Sequence, residues 1–119
     1  MEIISLKGPQ NSGKTTTLTI VHGKLLEQSS QKSNNYFKEI SNGDFLDVIE
    51  YNGRKVGIVT QGDFSRGVCS VKNHLRKLKN LGCDVAICAC TIGDSKDDIQ
   101  AAINAYPMHD YIEKKRVDD

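Results

Sequence analysis

Between Gly8 and Thr15 the chain reads Gly-Pro-Gln-Asn-Ser-Gly-Lys-Thr, and the apolar run Ile3-Ile4-Ser5-Leu6 stands directly before it. A G-x-x-x-x-G-K-[ST] segment in this setting narrows the fold to those in which a buried strand ends, the backbone curls and a helix begins. Gly8 and Gly13 can take the dihedrals that turn successive backbone N–H groups toward one small volume. Thr16-Thr17-Leu18-Thr19-Ile20-Val21 continues as helix and aims its positive end at that volume. Phosphate is the ligand such a loop suits. Lys14 would reach the β and γ oxygens as a point charge, and the Thr15 hydroxyl would hold a magnesium ion. The stretch Gly8, Pro9, Gln10, Asn11, Ser12, Gly13, Lys14, Thr15 and Thr16 is therefore the expected seat of a nucleoside triphosphate with Mg2+.

Size and charge set further bounds. With 119 residues the chain is expected to form one domain, 1–119, without room for a separate substrate domain. Its 16 basic and 15 acidic side chains leave a net charge of +1, so no field recruits nucleic acid or an anionic membrane. No run approaches ~18 apolar residues, and Met1-Glu2-Ile3-Ile4 enters a strand with no leader-like pattern, so a soluble cytoplasmic protein is expected. In that compartment Cys69, Cys83, Cys88 and Cys90 are expected as free thiols.

Along the chain, a helix is predicted from about Lys14 to about Gln28, with Leu18, Val21, Leu25 and Leu26 inward. Ser29 to Asn35 offers no apolar residue to bury, so residues 29 to 44 are predicted to be the most mobile internal segment. Phe45 to Tyr51 and Arg54 to Thr60 flank Asn52-Gly53, a strong hairpin signal. Val68, Val71, Leu75, Leu78 and Leu81 recur at helical spacing until Gly82. Cys83 to Cys90 is almost without polarity, the pattern of a central strand covered on both faces. Ser95 opens a helix carrying Ile99, Ala102 and Ile103, Pro107 closes it, and Tyr111 to Val117 forms a last strand. The alternation predicts an α/β three-layer sandwich around a five-stranded, mostly parallel sheet with one antiparallel hairpin strand.

By its loop motif and its hairpin ahead of the second polar segment, Gln61-Gly62-Asp63, the chain resembles the P-loop NTPase superfamily, and within it the kinase and GTPase half. The resemblance covers the whole chain as architecture and Gly8 to Thr15 as a specific motif. It implies the strand order 2-3-1-4-5. It also implies an acid at or just beyond the end of the third strand, where Asp63 stands, making Thr15 and Asp63 the expected magnesium residues. By the same resemblance Lys14 is catalytic and Gln61 would orient a water, a polar turn residue being the alternative. Arg66 lies close enough in sequence to meet a γ-phosphate and Lys96 stands beside the end of the fourth strand, and the alternative for either is an ordinary surface cation. The glutamate that serves many ATPases as base is missing after this strand. The guanine motif Asn-Lys-x-Asp is matched at Thr91-Ile92-Gly93-Asp94 by its aspartate alone, so ATP is expected and GTP stays open.

The remaining candidates read as structural. Cys88 and Cys90 share one side of a strand, but His22, His74 and His109 show no metal spacing that would complete a zinc site. Three readings remain: NTP hydrolysis or phosphoryl transfer, a nucleotide-dependent interaction module whose output is the position of residues 29 to 44, and a degenerate P-loop that only binds. No segment between Thr91 and Asp98 is long enough to close over a second substrate, which lowers the small-molecule kinase reading. Protein partner and oligomeric state are not legible.

Overall fold

The least polar stretch of the chain lies in the interior of the sheet. In the computed structural model, which describes residues 1–29 and 36–115, β5 (Val85–Ile92) runs parallel to β4 (Arg54–Val59) on one side and to β1 (Glu2–Pro9) on the other. It carries no charged residue and loses nothing by having strands at both flanks. β6 (His109–Glu113) pairs in parallel with the far side of β1. β3 (Asp44–Tyr51) pairs antiparallel with β4, and β2 (Lys38–Ser41) pairs antiparallel with β3.

The α/β class is as expected, but the sheet has six strands in the order β2-β3-β4-β5-β1-β6. The expected five strands and the order 2-3-1-4-5 are thus corrected in two respects. The uncharged β5 stands between the hairpin strand β4 and β1, which carries Glu2 and Lys7. β2 is the additional strand; Lys-Glu-Ile-Ser has one apolar residue, too few to show a strand's alternation. A tight turn forms it instead: Asn42 and Gly43 both take positive φ, 51° and 86°, as two-residue hairpin turns require. The predicted turn at Asn52-Gly53 has the same character, with φ 52° and 75°.

The side-chain period of two sorts each strand's residues between two cores. α1 (Lys14–Gln28) covers one face, where Leu18 meets Leu6, Phe45, Ile58 and Ala89. α2 (Val71–Asn80) and α3 (Asp97–Asn104) cover the other, where Val71, Leu75, Leu78, Ile99 and Ile103 pack on Ile3, Leu46, Val48, Val59, Cys88 and Cys90. Ser70 caps α2 by accepting the Asn73 N–H, so Val68, expected on the buried ladder, lies ahead of the helix and is exposed. α3 starts at Asp97 and not at Ser95, which has φ 64°. The final strand ends at Glu113, short of the expected Val117, and residues 116 to 119 lie outside those described. So does 30–35 within the segment expected to be mobile, while β2 occupies part of the remainder. No helix among the described residues is long and apolar enough to cross a membrane.

Candidate functional site

β1 ends at Pro9, and α1 starts only five residues later. The intervening turn uses left-handed backbone at Asn11 (φ 62°) and Gly13 (φ 86°), the latter being the N-cap of α1. The first turn of a helix leaves its N–H groups without intrahelical acceptors. Here that turn, Lys14, Thr15 and Thr16, joins Gln10, Asn11, Ser12, Gly13, Thr60 and Asp63 around a cavity of ≈ 230 Å³. No acidic side chain in the first turn of α1 offsets its positive end.

Lys14 organises the loop from inside. Its ammonium donates to the Gly8 carbonyl at 3.0 Å, to the Pro9 carbonyl at 2.7 Å and to Ser12 Oγ at 3.3 Å. Burial pushes its pKa below the usual 10.5, opposed by the charge of Asp63 nearby. Gly8 is required by close approach: a Cβ there would stand 2.4 Å from the carbonyl oxygen of Lys114, just after β6, and 2.9 Å from Ser12 Oγ. The last strand thus braces the loop, and the Lys114 N–H donates to the Lys7 carbonyl at 2.7 Å.

The residues expected downstream divide into two groups. Asp63 does line the loop cavity; its Oδ1 accepts the Thr91 hydroxyl at 2.6 Å, and its carbonyl accepts the Lys96 ammonium at 2.5 Å. Gln61 is buried on the opposite face of the sheet from α1, its Oε1 2.8 Å from His74 Nε2. Arg66 is exposed and faces Asp98 at 3.9 Å, in a depression shared with Ser65, Ser95 and Asp97. Asp94 is exposed, and neither Gln61 nor Arg66 lines the loop cavity.

Three groups near the site carry no sequence motif. Asp44 Oδ1 accepts from Thr15 Oγ1 at 3.3 Å and from Thr60 Oγ1 at 2.8 Å. Thr60 is in turn held by the Phe45 N–H at 2.9 Å. Because β3 runs antiparallel to β4, its first residue lies at the carboxyl end of β4, where the loop is. His22 is the third: buried on α1, its Nε2 is 2.7 Å from Oδ2 of the fully buried Asp47, and its ring lies 4.5 Å from that of Phe45, the residue after Asp44.

Thr15, Thr60 and Asp63 bring oxygen atoms to the cavity wall, and Asp44 stands behind Thr15 and Thr60. Oxygen is a hard donor, and Mg2+ takes one or two such protein ligands together with phosphate oxygens and water, so the lining fits that ion. Among the described residues, no three His, Cys, Asp or Glu side chains converge as a self-sufficient metal cage. The cysteines are free; burial pushes the Cys83 and Cys88 thiols up to about 11 and about 12, so neither is a thiolate near neutral pH.

His74 gives the region a pH dependence. Burial holds its imidazole below the usual 6.5, Lys77 acts in the same direction, and Asp44 opposes them. On acidification through 6.5 the unfolded chain therefore takes up a proton before the native one does, and stability falls as pH drops. Denaturant titrations between about pH 7 and pH 5 are expected to show that fall, and His74→Asn to flatten it. An equally steep profile in the variant would assign the dependence to other groups.

Comparison of the chain with protein-family models, curated proteins and solved structures returned no match.

Proposed function

We propose that the cavity at the start of α1 binds the phosphates of a nucleoside triphosphate as its magnesium complex, with ATP the first candidate and GTP the second, and that hydrolysis or phosphoryl transfer follows. The observation that carries this reading is the loop of Gly8 to Thr15 folded around the Lys14 ammonium, with the first turn of α1 lining the same cavity. The residues divide the work by chemistry. First-turn N–H groups donate to phosphate oxygens, and Lys14 exchanges loop carbonyls for a β or γ oxygen, a stronger acceptor. Thr15 presents its hydroxyl oxygen to the cation, and a magnesium ion bound there would offset the charge that develops on the phosphates.

One observation favours a second reading, a nucleotide-dependent interaction module with little turnover. Gln61 is bonded to His74, and Arg66 faces Asp98, so of the residues expected to assist the reaction Lys14 is at the cavity and these two are not. A thermal-shift screen with ATP, GTP, ADP and GDP plus magnesium tests the binding that both readings share. At a ligand concentration of about 100 times Kd the native state gains roughly 2.7 kcal/mol, on the order of a 10 °C rise in Tm for a domain this size. No shift with any of the four would refute the proposal. Phosphate release under saturating nucleotide then separates the two readings.

A further inference from the structure

The strand that should deliver an acid to the loop ends instead in a hydroxyl. β4 finishes at Val59, and the next residue, Thr60, lines the cavity with its side chain donating to Asp44. Asp63, three residues on, spends one carboxylate oxygen on Thr91, and its carbonyl holds Lys96, so it ties the segment after β4 to the end of β5 and the segment after it. Asp44 is the carboxylate that meets Thr15 itself.

The bond order around Asp44 has a direction. The Phe45 N–H donates to Thr60 Oγ1, Thr60 donates to Asp44 Oδ1, and Thr15 donates to the same Oδ1. A hydroxyl has one proton and two lone pairs. If the Thr15 proton points to Asp44, its lone pairs point away from Asp44 and are free to meet a cation. A carboxylate one hydrogen bond behind a ligating oxygen also makes that oxygen a better donor to the metal. The Asn42-Gly43 turn places Asp44 there, since its two left-handed residues reverse the chain immediately before it.

We propose that Asp44, brought by an antiparallel strand to the end of β4, is the carboxylate that orients Thr15 toward magnesium, and that Thr60 is the residue that positions Asp44. This rests on the cavity being a magnesium–nucleotide site. It makes the β2–β3 hairpin part of the metal's surroundings.

The test is a magnesium titration at fixed ATP concentration, read as nucleotide binding and not as turnover. Wild type is compared with Asp44→Asn, Asp63→Asn, Thr60→Val and Thr60→Ser, each also measured in EDTA. Asp44→Asn is expected to raise the magnesium midpoint by about tenfold or more while changing binding in EDTA far less. Thr60→Val should move the midpoint the same way, Thr60→Ser should restore it, and Asp63→Asn should move it less than Asp44→Asn. A curve for Asp44→Asn superimposable on the wild type, or a larger shift for Asp63→Asn, overturns the assignment. If Asp44→Asn does not fold, Thr60→Val against Thr60→Ser gives the decision: equal midpoints refute the role. Failure of the functional reading looks different, because the wild type would then bind neither ATP nor GTP with magnesium or without it.

Discussion

Replacing Lys14 with alanine is expected to weaken binding of a magnesium–nucleoside triphosphate by roughly two orders of magnitude, about 3 kcal/mol, because a desolvated charge-assisted contact to phosphate is lost. The fold should survive. Lys14 touches the loop carbonyls of Gly8 and Pro9 and the Ser12 hydroxyl, and it contributes nothing to either hydrophobic core, so the cost in stability without nucleotide should be about 1 kcal/mol. Calorimetric titration with ATP and GTP, paired with thermal melts of the free protein, separates these quantities. Unchanged affinity in a folded variant would show that the loop does not hold phosphate.

The largest expected loss of stability comes from Gly62. A Cβ on this residue would lie 2.5 Å from the carbonyl oxygen of Ala89 and 2.6 Å from that residue's carbonyl carbon and Cβ. These are atoms of the central strand β5, which cannot yield without disturbing its pairing with both β1 and β4. Gly62→Ala should therefore cost about 3 kcal/mol, a drop of roughly 10 °C in Tm. Its neighbours make the damage local to the site as well: Gln61 would be pulled from His74, and Asp63 from Thr91. A melt within about 1 °C of wild type would mean that the segment after β4 relaxes freely and that Gly62 serves only as a turn residue.

What the sequence makes legible is the structure that depends on neighbours along the chain. The loop of Gly8 to Thr15, the helix after it and the Asn52-Gly53 hairpin are each local patterns, and each is found where it was expected. Strand order is not local. Nothing in Cys83 to Cys90 says which strands pair with its two edges; burial of both faces under helices is equally satisfied by either order. Asp44 was illegible for a related reason. Its relation to Thr15 depends on a hairpin whose first strand, Lys38 to Ser41, has too little apolar character to register, although Asn42-Gly43 is the same dipeptide that marks the other hairpin. Weighing the turn residues above the hydrophobic pattern would have found β2, and with it the acid at the start of β3. Gln61 and Arg66 failed to reach the cavity because alternation along β4 turns Gln61 to the α2 face, and Arg66 lies beyond the segment that Asp63 ties down.

The neighbours of β1 have a consequence for the time at which the loop becomes complete. β1 is flanked by β5 and β6, so Glu2 has to wait for Val85 and Ile3 for His109. As the chain leaves the ribosome, the first strand made has no partner until most of the rest has followed, whereas the β3–β4 hairpin can close at once from its own turn. The brace of Lys114 on Gly8 comes later still. The segment with the clearest signature is thus among the last to reach its final packing, because the strands on both sides of β1 are made after it.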